Sequence, residues 1–155
     1  MSGCGNQGPA DPGGVDTGIL ESLLGYHARR ASLAIVGRFM EHMAPHGLRP
    51  VDFSVLTLIA QNPGITSRQI CAALAIQPPN LVGLVGGLQQ RGLIERRPHP
   101  NDRRAVGLHL TPDGKRLHGA ACATASAAEA QAATALTARE QATLVRLLRK
   151  LYSDV

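Results

Sequence analysis

A chain of 155 residues accommodates one domain with an extra helix or two, which excludes a multidomain enzyme. Hydrophobic residues at 44% and charged residues at 17% give the balance of a chain that buries a core, whereas 3% aromatic residues without tryptophan exclude a surface that stacks successive unpaired bases. The net charge of +5, from 16 Lys and Arg against 11 Asp and Glu, favours a polyanionic partner.

Cys4, Cys71 and Cys122 form no closely spaced pair, so neither a disulfide framework nor a four-cysteine zinc site is expected, and a reducing compartment fits. No stretch approaches the roughly 18 apolar residues of a membrane span, and no apolar segment precedes Cys4. The sequence therefore reads as a cytoplasmic protein without membrane contact.

Residues 1–15 are rich in glycine and proline and almost devoid of apolar side chains, which predicts a disordered tail ahead of a single domain over 16–155. From Asp16 or Thr17, the residues Ile19, Leu20, Leu23, Leu24, Ala28, Ala31, Ile35 and Phe39 recur at three and four positions up to Pro45, predicting one long amphipathic helix. Pro50 pre-sets the first turn of a second helix, Val51 to Gln61, which Asn62, Pro63 and Gly64 end. Thr66 and Gln69 then form a capping box for a short helix, Ser67 to Leu74. Pro78 opens another, with Leu81, Leu84, Val85 and Leu88 inward and Gly92 as its stop.

The arms Leu93 to Arg97 and Arg104 to Leu110 flank Pro98, His99, Pro100, Asn101 and Asp102, predicting a hairpin with a long tip. Its second arm is expected to turn Val106, Leu108 and Leu110 inward, and Gly107 and His109 outward. Thr111 and Pro112 open a helix whose later part, Gly119 to Leu136, holds ten alanines. Thr137 and Glu140 form a second capping box before a final helix with Leu144, Leu147, Leu148 and Leu151 down one side.

Helix, helix, turn, helix and two-stranded hairpin in that order make a winged helix-turn-helix, a reader of duplex DNA. The fold class is mainly α with a small β-hairpin. Arg91, Arg96, Arg97, Arg103 and Arg104 concentrate charge at the hairpin, where a rigid guanidinium fork suits phosphate oxygens and a narrow minor groove. Gln77 and Asn80 are amides able to pair with adenine, and Pro79, Val82 and the glycines of the same helix permit close backbone approach. A helix cap for Gln77 and a first-turn hydrogen bond for Asn80 are the structural alternatives. The expected DNA contacts are Ser67, Arg68, Gln77, Pro79, Asn80, Arg91, Arg96, Arg97, Asp102, Arg103 and Arg104.

The segments Gly92-Leu93-Ile94-Glu95-Arg96, Pro100-Asn101-Asp102-Arg103-Arg104 and Leu108-His109-Leu110-Thr111-Pro112-Asp113-Gly114 resemble the wing signature of the multiple-antibiotic-resistance regulator (MarR) family, and the resemblance extends over residues 17–152. It implies a homodimeric repressor of an inverted-repeat operator, with a winged module at about 47–111 and dimerisation helices at about 17–44 and 112–152. It also implies that Asp102 holds Arg104 at the wing tip, where the guanidinium enters the minor groove. The recognition helix departs from the family pattern, with Gly86 and Gly87 in place of an Asp-Arg pair and Gly83 in place of a polar residue.

The segment Leu24 to Ala31 is similar to the branch controlling degradation of aromatic and heteroaromatic acids. His27, Arg30, Ala34 and Arg38 share one face of the first helix at helical spacing, near Tyr26 and with Phe53 available from the second. These residues are expected to bind a small aromatic or heteroaromatic carboxylate that releases the operator. Solvated arginines and ion pairs to a partner subunit are the alternative reading of this stripe. A constitutive architectural DNA binder and a redox- or metal-sensing regulator are the alternative functions. His42 and His46 have zinc-like spacing, but Pro45 interrupts the turn and no further ligand completes a set, so no metal or other cofactor is expected. Cys71 and Cys122 read as small buried hydrophobes, with a thiol switch open for Cys122. No nucleophile elbow, phosphate loop or metal motif supports an enzyme.

Overall fold

Prolines and left-handed residues divide the middle of the chain into short helices, and everything else is arranged around them. The computed structural model describes residues 15–99, 102–132 and 134–153, and of residues 99 and 102–105 the backbone alone. All of the expected tail except Val15 lies outside the described residues.

Helix α1 (Gly18–Glu21) and helix α2 (Leu24–Met43) replace the single long helix expected from the periodicity. Ser22 donates its hydroxyl to the Ile19 carbonyl at 2.7 Å and Leu23 is extended at φ −97°, ψ 124°, so a side chain competing for backbone carbonyls ends the first turn. Beyond α2 a 3₁₀ turn over Ala44–His46 carries Pro45 and closes on Gly47 at φ 58°. Helix α3 (Pro50–Gln61) begins one residue before the expected start, because proline is itself a good first helical residue.

Helices α4 (Ser67–Leu74) and α5 (Pro78–Gln90) are the helix-turn-helix, crossing at 115°. Thr66 and Gln69 cap α4 reciprocally, and Ala75 ends it at φ 51°. Strands β1 (Ile94–His99) and β2 (Asp102–Leu110) pair antiparallel in the register Ile94 with Leu110 and Pro98 with Val106, with an irregularity between Pro98 and His99. Helix α6 (Pro112–Ala132) starts on Thr111, whose hydroxyl accepts from the Gly114 amide at 3.0 Å and donates to the Gly92 carbonyl at 2.6 Å. Helix α7 (Ala138–Tyr152) carries the Thr137–Glu140 capping box.

One expectation for β2 is reversed. Gly107 is buried and Val106 is 46% exposed, because the Gly64–Ile65 turn adds a bridge to Leu108 and lies directly over the strand. A Cβ on Gly107 would stand 2.8 Å from the Gly64 carbonyl oxygen, so only glycine fits there. Leu108 and Leu110 face inward as expected.

The core lies in the winged module, where Met43, Val55, Leu56, Ile59, Ile70, Leu81, Val85, Leu88 and Leu108 are essentially inaccessible. The remaining helices are different. On α1 and α2, Ile19, Leu24, Leu33, Ile35 and Met40 are exposed, and on α7 so are Leu144, Leu147, Leu148 and Leu151, an apolar surface beyond what a monomer ordinarily leaves in water.

Candidate nucleic-acid interface

Helix α5 carries no charged residue. Its core side is Leu81, Leu84, Val85 and Leu88, so helical geometry sends Pro79, Gly83, Gly86 and Gln90 outward on the opposite side. A Cβ built on Gly83, Gly86 or Gly87 meets nothing within 4 Å, so no neighbour within the protomer requires glycine at these helical positions. Gln77, the residue before the helix, makes no side-chain cap, and Asn80 is exposed, which leaves both amides available. Ser67 and Arg68 are exposed in the first turn of α4 and border, with Cys71, Pro78, Leu81 and Val82, an apolar cavity of about 240 Å3 between the two helices.

The arginines separate into two groups. Arg96 and Arg97 are exposed on β1, Arg96 donating to Gln89 at 3.2 Å and Arg97 to Glu95 at 2.5 Å. Arg91 leaves the wing group to which its sequence position assigned it: its guanidinium donates to the Gly47 carbonyl at 2.9 Å and to the His46 carbonyl at 3.1 Å, fastening the end of α5 to the turn before α3. The side chains of Asp102, Arg103 and Arg104 lie outside the described residues, so their coupling at the wing tip stays an expectation.

Beside Arg91 stands Asp52, the buried charged residue of the described core, 5% exposed. It accepts from the Arg49 backbone at 3.1 Å and from its guanidinium at 2.8 and 3.0 Å. Burial pushes the Asp52 carboxyl up, but the hydrogen bonds and charge of Arg49, with the charge of Arg91, outweigh it and hold the group below its ordinary range. Residues 47, 49, 52 and 91 thus form one polar clasp that ties the end of α5 to the start of α3.

The expected effector residues do not assemble in the protomer. Arg30 donates to the Tyr26 hydroxyl at 3.0 Å and lies over its ring, and His27 bonds the Glu21 carbonyl at 2.7 Å, all at the start of α2. Arg38 donates to the Gln131 carbonyl at 2.7 Å, where the last carbonyls of α6 attract a cation. Phe53 packs on Phe39 at 5.6 Å between centroids, about 20 Å along α2 from Tyr26 at 1.5 Å per residue. The stripe is split into a Tyr26–His27–Arg30 group and an Arg38 group, because residues sharing a helix face still differ in height.

The sequence reading missed His118, which stacks on Phe53 at 5.9 Å. Thr57 donates its single hydroxyl hydrogen to the Phe53 carbonyl at 2.8 Å, so at the 3.0 Å contact His118 Nε2 is the donor and Thr57 the acceptor. Cys122 Sγ lies 3.3 Å from the same nitrogen. Burial lowers the His118 pKa from its ordinary 6.5. The spacing of His118 and Cys122 was visible, but the pairing with Thr57 across two helices was not. Cys71 and Cys122 are half-buried rather than fully buried. His42 and His46 bond separately, to the Arg38 carbonyl and to Thr124, and no metal-binding group of three His, Cys, Asp or Glu occurs among the described residues. Nor, among them, is any single helix long and apolar enough to cross a membrane.

A sequence profile described as the MarR family matches residues 46–105. The chain is 30% identical, over 87% of its length and 82% of the other, to a protein of Thauera aromatica named as a transcriptional regulatory protein for the hcr operon. Its fold is similar to the transcriptional repressor CouR bound to a 23-mer DNA duplex, with a TM-score of 0.83 at 33% identity over 88% of this chain and 97% of that one. It is also similar to CouR from Rhodococcus jostii RHA1 bound to p-coumaroyl-CoA, with a TM-score of 0.78 at 28% identity over 85% and 93% of the two chains.

Proposed function

The chain belongs to the MarR family of transcriptional regulators, and from that premise we propose that it is a homodimeric, ligand-responsive repressor that reads an inverted-repeat operator in duplex DNA and catalyses no reaction. The observation that carries this reading is an uncharged, glycine-faced helix α5 set beside a wing that bears Arg96 and Arg97. Such a helix enters a major groove closely without reading it through charge, while the wing supplies phosphate and minor-groove contacts. The winged module spans about 47–111, and the exposed apolar faces of α1, α2 and α7 pair across the dimer. The protein then works in the cytoplasm, where its operator is.

The DNA contacts are Ser67, Arg68, Gln77, Pro79, Asn80, Arg96 and Arg97, with Asp102, Arg103 and Arg104 at the wing tip. Arg91 acts through the clasp, setting the height of α5. The effector is an aromatic acid or its acyl thioester: the p-coumaroyl-CoA complex of CouR supports an aromatic acyl group and adds the thioester form to the free carboxylate read from the sequence. Tyr26, His27 and Arg30 offer it a cation and a ring at the start of α2, where a second subunit completes the surface.

Footprinting on the DNA upstream of its own gene tests the reading, with fluorescence anisotropy for affinity. Two protected half-sites centred roughly 10 bp apart are expected, and p-coumaroyl-CoA or p-coumarate should raise the Kd. Binding without inverted symmetry and without response to either compound would favour the constitutive architectural binder.

A further inference from the structure

Among the described residues of the winged module, Val82 is the most exposed large hydrophobic side chain, at 66%, although Leu81 and Val85 of the same helix are 1% exposed. At spacings of three and four along α5 it neighbours Pro79 and Gly86, which puts it on the edge of the outward side nearest α4 rather than against the core. Val82 and Pro79 make an apolar ridge there. Gly83 and Gly86 beside it carry no side chain that would hold the ridge away from a partner. Ser67 and Arg68 of α4 border the same apolar cavity as Val82. The two helices together hold Arg68 and no acidic residue, so this face admits a polyanion while its centre is apolar.

The major-groove edges of guanine, cytosine and adenine present donors and acceptors, whereas thymine adds a methyl group. An apolar branch pressed on a polar edge strips water from it and returns no hydrogen bond, which is unfavourable. Against the thymine methyl, both partners leave water at a gain. A valine at the groove floor therefore selects by attraction at one base and by penalty at the other three. Duplex DNA suits this face better than a protein partner does, because Arg68 on one side and the wing arginines Arg96 and Arg97 match phosphates while the ridge between them meets base edges.

We propose that Val82, backed by Pro79, is a specificity-determining residue that reads the C5 methyl group of a thymine in each operator half-site, on the Ser67–Arg68 side of α5. Asn80 lies two residues away and faces the other flank of the outward side, so methyl and amide reading fall on different base pairs. The inference rests on the operator reading proposed above and adds which base is read there, and through which atom.

Selection of duplexes from a randomised pool by the full chain tests it, followed by anisotropy on the selected duplex with deoxyuridine replacing thymine, position by position, in one half-site. Uracil keeps every hydrogen-bonding group of thymine and lacks only the methyl. The selected half-sites should share a thymine at which uracil raises the wild-type Kd about three- to fivefold, the scale of one buried methyl group. Val82→Ala should raise the Kd on the thymine duplex by a similar factor and lose its response to uracil at that position, because both changes remove one contact. Its Tm should hold or rise, since the side chain is exposed and alanine is the better helix former; a fall would overturn the premise that the fold does not use Val82. Uracil tolerated at every position, or a uracil penalty undiminished in Val82→Ala, would overturn the assignment and leave a sequence-specific repressor in place. A pool that yields no preferred sequence would overturn the repressor reading and this inference with it.

Discussion

Replacing Gly83 and Gly86 by alanine separates what α5 needs for folding from what it needs for DNA. Both lie inside a regular helix with open space where a Cβ would go, so neither strain nor collision opposes the change. Alanine is better than glycine in a helix interior by about 0.8–1.0 kcal/mol per residue, so the double variant should gain about 2 kcal/mol. At about 2–4 °C per kcal/mol for a chain of this size, Tm should rise by about 4–8 °C. On the operator the two methyl groups stand between the helix backbone and the groove floor and push Gln77 and Asn80 back from base edges. Losing one good bidentate contact costs about 1–3 kcal/mol, roughly five- to 150-fold in Kd. Affinity for a scrambled duplex, which rests on wing and phosphate contacts, should barely change at fixed salt. Calorimetry gives Tm, and anisotropy on operator and scrambled DNA gives the two affinities. A rise in Tm with operator affinity unchanged would refute close approach as the role of these glycines. A fall in Tm would refute the premise that nothing in the protomer needs them.

The remaining expectations concern the supports of the interface. Asp52→Asn should cost about 1–2 kcal/mol in urea unfolding, since it weakens hydrogen bonds from both the backbone and the guanidinium of Arg49 at a buried position; an unchanged midpoint would remove the clasp from the account of α5 placement. His118 is held neutral by burial, so the unfolded chain takes its proton first: stability should fall as pH drops below about 6.5 and level off below the lowered folded value, and His118→Asn should flatten that part of the profile against wild type. Asp102→Ala and Arg104→Ala should each weaken operator binding by about 1–3 kcal/mol and the double variant by no more than the larger, because both act through one guanidinium; additive losses would break the coupling.

The winged module was legible because its signals are local. Thr66 with Gln69, Pro78 and Gly92 each fix a backbone boundary within a few residues, and α4 has the bounds the sequence indicated. The failures came where a contact that hydrophobic periodicity does not encode decides, whether one turn away or from a distant segment. Ser22 satisfying the Ile19 carbonyl breaks a periodicity that by itself runs unbroken to Pro45. Gly107 alternates outward by strand logic, yet the Gly64 turn lies over it and makes it the buried position. In both cases the pattern was read rightly and then overridden by a contact the pattern does not encode.

For the sites the difference is sharper, because a ligand pocket is defined by height along helices as well as by face. His27, Arg30 and Arg38 share a stripe, but the α6 terminus takes Arg38 while Tyr26 takes Arg30 at the other end. Sequence spacing reports angle modulo one turn and is silent about which neighbour stands opposite. Lys115 and His118 sit a turn apart near the start of α6, and nothing in their spacing brings Arg97, His109 and Ile59 against them. That meeting follows from the hairpin folding back on α3 and α6.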